Sequence, residues 1–430
     1  MEKTNLESQR IHLENGSLIV PECPIIPYME GDGIGPEIWQ SARRVLDVAV
    51  EVAYQGKRRI AWKEVLAGGK AFNTMGTWLP EETIGAIRDF HVGIKGPLTT
   101  PIGEGIRSIN VALRKELDLY VCLRLVRYFE GAPSPMKYPE KVNIVLFREN
   151  VEDVYAGMDY PFDSPQATAL RSWLAQNYPT EFAKMRFPDT SGLGIKPVSR
   201  DETARLVRAA IEYAIQNKRK KITLVHKGNI MKYTEGAFAR WAYQQAKTEF
   251  PDYTHTQSDY QSAQKELGQQ AADAQWQAAL ADGKIYINEI LTDAMFERSI
   301  SHPEELDIVV TTNLNGDYLA DALAALVGGI GIAPGGNINY ETGTAIFEAT
   351  HGTAPSIAGQ DKANPSSLLL SGAIMLDYLG WQESAQLVET AIETAIRNKV
   401  VTFDFFEQMK SATLVGTREF ADYLIQTLRA

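Results

Sequence analysis

Short β-branched runs alternate along this chain with longer amphipathic stretches, and that alternation restricts the fold more than any other feature. The runs are IAWKEVL at 60–66, HVGIKG at 91–96, VNIVLFR at 142–148, ITLVH at 222–226 and DIVVTT at 307–312. Strands separated by helix-length segments predict α/β layering with a substantial parallel sheet. Helix signals stand between them. Pro36 opens PEIWQSARRVLDVAVEVA at a first helical position, and Pro365 precedes SSLLLSGAIMLDYLG. Ser199 and Glu202 make an S-x-x-E capping box ahead of apolar Ala204, Val207, Ile211 and Ile215. At 430 residues the chain exceeds what one core usually organises, so two or three structural units are expected.

Two stretches depart from the pattern. Residues 157–198, rich in Pro, Asp, Tyr and Phe, show no sustained period; they read either as a long irregular excursion or as a segment completed by another chain. The polar, Gln-rich region 250–288 reads as surface loops and helix. Lys218, Arg219, Lys220 and Lys221 fall at a helix end before a strand, where cations favour the helix dipole and a solvated face is expected. With 43 Lys plus Arg against 54 Asp plus Glu, the formal charge of −11 disfavours nucleic acid and acidic membranes as partners. Cys23 and Cys122 are too few for a disulfide framework and lack C-x-x-C spacing, which fits a reducing compartment and no catalytic thiol. The first residues have no apolar core and no apolar run reaches about 18 residues, so neither signal peptide nor membrane span is expected, and the expected location is the cytoplasm.

Four constellations can carry chemistry. GDGIGPE (31–37) follows the apolar piece IIPYM, but Pro36 follows Gly35 where the Rossmann fingerprint needs free positions and a third Gly or Ala, so a plain tight turn stays open. Arg107, Arg114, Arg124, Arg127 and Arg148 are interleaved with Ser108, Asn110 and apolar segments. Guanidinium groups beside apolar strands need carboxylate partners, either internal ones such as Glu116, Asp118 or Glu149, or a ligand bearing several carboxylates. In NLNGDYLADALAALVGG (313–329), Asp317 and Asp321 stand at i and i+4 on an apolar helix, where like charges cost roughly 0.2–0.5 kcal/mol. Asp317 alone could cap the helix but Asp321 could not, and a hard divalent cation taking both carboxylates is the specific alternative, with Asp293 of NEILTDAMFER a weaker third candidate. The histidines (His12, His91, His226, His255, His302, His351) never occur at zinc spacing, so Mg²⁺ or Mn²⁺ is preferred. Lastly, small residues around His351 in IFEATHGTAPSIAGQDKANP (346–365), after VGGIGIAPGGNI (327–338), let a nucleotide approach the backbone.

Taken together these residues resemble the β-decarboxylating dehydrogenases, and within them the dimeric bacterial-type isocitrate dehydrogenases. The likeness runs from GDGIGPE through IKGPLTTPIGEGIRSINVALRKELDLYVCLR, FRENVEDVYAG, LVHKGNIMKYTEGAF, NLNGDYLADALAA and FEATHGTAPSIAGQDKANP, and weakens at 159–190 and 245–288. It implies a mixed-sheet α/β fold that is not a Rossmann fold: a large domain (1–119 and 328–430), a small domain (120–152 and 200–327) and an intersubunit clasp (153–199). It implies an isocitrate-binding set of Thr100, Ser108, Asn110, Arg114, Arg124 and Arg148. It implies Mg²⁺ or Mn²⁺ on Asp317 and Asp321, joined by Asp293 from a second subunit, and an acid–base pair of Tyr155 and Lys227, with Lys227 also from the partner. Cofactor contacts are implied at Glu348, His351, Gly352, Thr353, Ser356, Ile357, Asn364 and Asp404. The expected reaction oxidises and decarboxylates isocitrate to 2-oxoglutarate in the citric acid cycle, in a homodimer; isopropylmalate, homoisocitrate or tartrate are the alternative substrates, and Ser108 and Asn110 argue against the apolar branch of isopropylmalate.

This sequence departs from the family pattern at several places. Leu125 stands where relatives often carry Pro, and Val151 where Ser or Thr is common. Ser356, Ile357, Phe403 and Glu407 hold the places where NADP-dependent members put Lys, Tyr, Tyr and Arg around the 2′-phosphate. With those groups missing and Glu407 repelling a phosphate, NAD⁺ is the expected cofactor.

Overall fold

The computed structural model describes residues 7–99 and 108–430. Thr100, expected to bind substrate, and Arg107 of the arginine cluster lie outside the described residues. An eleven-stranded sheet forms the centre. Its strands in chain order are β1 (Ile25–Met29), β2 (Ala61–Glu64), β3 (Val92–Lys95), β4 (Val121–Arg127), β5 (Asn143–Glu149), β6 (Lys221–His226), β7 (Thr254–Thr256), β8 (Ile285–Leu291), β9 (Ile308–Thr311), β10 (Pro334–Asn339) and β11 (Thr344–Ala349). In space they run β7-β8-β6-β9-β5-β4-β10-β11-β3-β1-β2. The two wings are parallel, as the alternation predicts. The centre is not: β5 with β4, β4 with β10 and β10 with β11 pair antiparallel, so the sheet is mixed.

The helices that bear on the site are α1 (Gly35–Tyr54), α2 (Ile109–Glu116), α3 (Pro165–Asn177), α4 (Arg200–Gln216), α5 (Glu235–Glu249), α6 (Thr292–Ser301), α7 (Asn313–Val327) and α8 (Ser366–Tyr378). Side chains alternate across each strand. On β4 and β5 the residues Leu123, Val145 and Phe147 join the main core with Trp39 and Leu46 of α1, Leu206 of α4 and Leu369 of α8. Their neighbours Val126, Ile144 and Leu146 pack instead under Leu319 and Leu323 of α7. That second face carries the charged groups of the site. No helix among the described residues is long and apolar enough to cross a membrane.

Local expectations fare unevenly. Helices begin near Pro36 and after Pro365 as expected. At α4 only half of the capping box forms: Ser199 Oγ accepts the Glu202 N–H at 3.1 Å, whereas Ser199 N–H donates to Glu152 Oε2 at 2.7 Å and Glu202 pairs with Arg205. A complete box stands at Thr256 and Asp259, inside the region read as loops and helix, where it starts the helix Gln257–Leu267. The aperiodic stretch contains α3, capped by Ser164, and a two-stranded ribbon of Asp159–Tyr160 with Leu193–Gly194. Only Ala167 of α3 is buried, so there was no apolar stripe to read. NEIL of the segment around Asp293 is strand rather than helix, which places Asp293 in the first turn of α6.

Candidate active site

Arg124 on β4 and Arg148 on β5 point to the face covered by α7, and they are 8% and 2% exposed. Buried guanidinium groups are costly unless paired. Arg148 donates through Nε and Nη2 to Asn313 Oδ1 at 3.0 and 2.7 Å and through Nη1 to Asp317 at 2.5 Å. Glu348 of β11 meets the others: Lys95 Nζ lies 2.7 Å from it, Arg114 Nη2 3.2 Å and Arg124 Nη2 3.7 Å, and Asn337 Nδ2 donates at 2.8 Å. Burial would raise the Glu348 carboxyl, but Lys95, Arg114 and Arg124 hold it well below the usual range. Burial outweighs Glu348 at Lys95 and lowers that ammonium.

The internal partners expected for these arginines were therefore the wrong ones. Asp118 pairs with Arg205, and Glu149 accepts the Val151 and Glu152 N–H groups. Register explains the difference. Gly335 of β10 pairs with Arg124 on one side and with Glu348 on the other, so the arginine reaches the acid across a residue that has no side chain. A Cβ there would stand 2.3 Å from Arg124 Nη1. Neither Gly335, Asn337 nor Lys95 stood out in the sequence; a lysine ending the apolar run VGIK was the available signal.

These groups surround a cavity of about 220 Å³ lined also by Asn110, Asp317, Asp321, His351 and Gly352. Several polar atoms on its lining residues are buried without a hydrogen-bond partner: Asn110 Oδ1, Arg114 Nε, Arg124 Nε and Nη1, and His351 Nε2. Each such orphan costs on the order of 1–3 kcal/mol, so the cavity is built for a ligand that supplies the missing partners. Ser108 is the N-cap of α2, whose first turn carries Asn110. Asp317 and Asp321 project one turn apart from α7. Burial works against the Asp317 charge, but Arg148 and a hydrogen bond from Tyr155 lower its pKa; burial and the Asp317 charge raise that of Asp321. Tyr155 carries Arg148 over its ring at 5.1 Å. Burial prevails over that cation and pushes the phenol up to about 12.

Gly316 precedes Asp317, and a Cβ on it would lie 2.4 Å from Arg148 Cγ. Gly316→Ala is expected to destabilise the protein by about 1–3 kcal/mol through overpacking. It should also displace Arg148 and weaken the affinity for a carboxylate ligand. Thermal unfolding together with ligand titration checks this; an unchanged melting temperature and affinity would show that Arg148 does not lean on Gly316.

Lys227 and Asp293 are ion-paired to each other, and neither lines the cavity. Among the described residues of one chain no group of three or more His, Cys, Asp or Glu could hold a metal. Of the residues expected at the nucleotide, Glu348, His351 and Gly352 are on the cavity lining. Ile34 N–H donates to Thr353 O at 2.9 Å, so the GDGIGPE turn docks on the His351 loop. Gly33 has φ +58°, and a Cβ on it would lie 2.0 Å from Thr353 O. Asp32 accepts the Gly69 and Thr99 N–H groups, which makes the turn a structural clamp as well. Asn364 Nδ2 donates to Asp404 at 2.9 Å, His351 is lowered by burial and so neutral, Ile357 is partly buried against the core, and Ser356 is exposed.

Comparison with known proteins gives a consistent set. A family model described as isocitrate/isopropylmalate dehydrogenase matches residues 25–424. A protein of Staphylococcus aureus (strain MSSA476) named isocitrate dehydrogenase (NADP) is 54% identical over 424 residues, covering 99% of this chain and 100% of the relative. One of the same name from Streptococcus mutans serotype c is 48% identical over 421 residues, covering 98% of this chain and 100% of the relative. The crystal structure of isocitrate dehydrogenase from Methylococcus capsulatus superposes with a TM-score of 0.75 at 32% identity, covering 95% of this chain and 100% of that one. The names of the relatives overturn the expectation of NAD⁺. That expectation treated the loss of one set of phosphate-directed groups at Ser356, Ile357, Phe403 and Glu407 as loss of the function. Lys362 and Arg418 are exposed, and Arg418 lies 3.6 Å from the Asp361 carboxylate.

Proposed function

Because the chain belongs to the isocitrate/isopropylmalate dehydrogenase family, we propose that it oxidises and decarboxylates isocitrate to 2-oxoglutarate and CO₂, reducing NADP⁺ with the help of a divalent cation. The observation that carries this reading is the set of orphaned polar atoms around the cavity, above all the unpartnered guanidinium N–H groups of Arg114 and Arg124. Among the described lining residues, four cationic side chains (Lys95, Arg114, Arg124, Arg148) face three carboxylates (Asp317, Asp321, Glu348). A substrate with three carboxylates entering with one divalent cation brings that set to neutrality, and the forked arginines match carboxylates bidentately. Ser108 and Asn110 at the start of α2 suit the polar branch of isocitrate, since an apolar branch would offer no acceptor to the Asn110 amide NH₂.

Asp317 and Asp321, with Asp293 of the partner subunit, are the hard oxygen donors that would hold Mg²⁺ or Mn²⁺. Such an ion supplies Lewis acidity to the substrate oxygens. Bound NADP⁺ supplies the hydride acceptor. Arg114, Arg124 and Arg148 fix the substrate carboxylates, and the carbon that loses CO₂ needs a proton. Tyr155, protonated at neutral pH because burial pushes it to about 12, acts as the donor. Lys227 of the partner subunit completes the acid–base pair.

A homodimer with shared sites follows from the same reading. It is supported by the separation of Lys227 and Asp293 from the cavity and by the exposed aromatics Phe162, Trp173, Tyr178 and Phe187 on the segment proposed as clasp, 153–199. The large domain would comprise 1–119 and 328–430 and the small one 120–152 and 200–327; the antiparallel pairing of β4 with β10 then marks the seam. Following absorbance at 340 nm tests the activity. With Mg²⁺ and NADP⁺, kcat/KM for isocitrate should exceed that for isopropylmalate by at least about 10²-fold. Turnover of isopropylmalate without isocitrate turnover, or of isocitrate with NAD⁺ preferred, would refute the respective part.

A further inference from the structure

Glu235, the first residue of α5, is fully buried, and four donors converge on its two carboxylate oxygens. Oε2 accepts the Lys227 backbone N–H at 2.9 Å and Asn315 Nδ2 at 2.7 Å. Oε1 accepts Thr312 Oγ1 at 2.9 Å and lies 2.8 Å from Lys196 Nζ. The same ammonium reaches Asp153 Oδ1 at 2.5 Å, and Asp153 Oδ2 accepts the Leu314 N–H at 2.9 Å. Asp153 is 1% exposed, has φ +67° and opens the short 3₁₀ turn that carries Tyr155. Its N–H donates to Pro197 O at 3.0 Å, next to Lys196.

The distribution of these contacts matters more than their number. Thr312 is the N-cap of α7 and Asn315 lies in its first turn, so Glu235 and Asp153 together hold the end of the helix that presents Asp317 and Asp321. Asp153 also starts the turn of Tyr155. Lys227, held through its backbone, is the group that the proposed function assigns to the other catalytic pocket of the dimer. One buried network therefore fixes groups of both pockets, and Lys196 anchors it to the returning end of the segment read as the clasp.

We infer that Glu235, with Lys196 and Asp153, is a positioning residue that couples the two active sites of the dimer. This rests on the shared-site reading above. A carboxylate is the right centre: it offers two acceptor oxygens to an ammonium, an amide, a hydroxyl and a backbone N–H, whereas the amide of a glutamine offers one oxygen and turns its NH₂ on two of the donors. Coupling through such a network is reciprocal, so a lesion at its centre reaches both ends.

The test uses hybrid dimers made from separately tagged chains. A Tyr155→Phe chain paired with a Lys227→Met chain has one intact site and is the reference. In the first probe, Glu235→Gln alone is placed in a chain paired with Tyr155→Phe; the working site then combines Tyr155 and α7 of the altered chain with an intact Lys227. In the second it is paired with Lys227→Met; the working site then combines an intact Tyr155 half with the Lys227 of the altered chain, whose backbone N–H has lost its carboxylate. Both hybrids are expected to lose at least tenfold in kcat per folded dimer against matching hybrids with Glu235 intact, with KM for NADP⁺ changed less than twofold. Glu235→Asp, which keeps both oxygens, should recover part of the loss. A loss in one hybrid alone, or in neither, overturns the coupling. An inactive reference hybrid instead overturns the shared-site reading and takes the inference with it. If Glu235→Gln does not assemble, Lys196→Met at the rim of the network replaces it and must give the same double loss.

Discussion

Asp321→Asn is expected to lower kcat/KM for isocitrate by roughly 10²–10³-fold, with only partial recovery in excess Mg²⁺, while leaving stability unchanged or slightly raised. The two signs come from one arrangement. Asp317 has Arg148 and Tyr155 as partners, so its charge is compensated by the protein itself. Asp321, one turn further along α7, is raised by burial and by Asp317, and Arg124 and Arg148 offset only part of that. A like-charged pair at this spacing weakens the helix by about 0.2–0.5 kcal/mol, and an amide of equal size removes the repulsion. The carboxylate persists at a cost to stability because a hard cation needs its charge, which is the usual sign of a functional site. Melting temperatures and Mg²⁺ titrations of activity on the same preparations check both halves; wild-type turnover at ordinary Mg²⁺ would remove Asp321 from the ligand set.

How much of this could be read beforehand depended on whether the information was local. Strands such as Ile308–Thr311 and Val92–Lys95 announce themselves as apolar runs because they are buried on both faces, and Pro36 and Pro365 mark helix starts wherever they occur. The strands Val121–Arg127 and Pro334–Asn339 carry no such mark. One has Arg124 and Arg127 among its apolar residues and the other begins Pro-Gly-Gly, yet they are the two central strands, and their oddities match: Arg124 needs the space that Gly335 leaves. A match of that kind is a property of register, which no spacing within either segment records.

The site shows the same limit. The acids on α7 stood out because they share one helix face, and the arginines stood out because they cluster in the chain. Glu348 as the partner of Lys95, Arg114 and Arg124 was hidden, since it arrives from a strand more than two hundred residues away. The nearer acids Glu116, Asp118 and Glu149 were the wrong candidates for that reason. The cofactor expectation failed differently: counting absent groups at Ser356, Ile357, Phe403 and Glu407 tests only one way of holding a phosphate.

Mixing chains that carry Tyr155→Phe with chains that carry Lys227→Met is expected to restore activity that neither variant has alone. Each homodimer should fall by roughly 10²–10⁴-fold, the usual contribution of a positioned acid or base. In a single chain Tyr155 lies against Arg148, with its ring 5.1 Å from the guanidinium, and lowers the pKa of Asp317, both residues of the cavity lining, whereas Lys227 is ion-paired with Asp293 and neither of those two is on the lining. If the second copy brings its Lys227 to the first copy's Tyr155, a hybrid dimer has one site with both lesions and one with neither. Random reassortment of equal amounts then makes half of the dimers hybrid, each with one good site, so total activity should return to roughly a quarter of wild type. Dilution to separate the chains before mixing, or coexpression, lets the subunits exchange, and the ratio of hybrid to parental dimers is read from tagged species. Recovery to that level places the two groups of each pocket on different chains. Hybrids no more active than their parents would place them on one, and would leave the exposed ion pair of Lys227 and Asp293 without a role in the reaction.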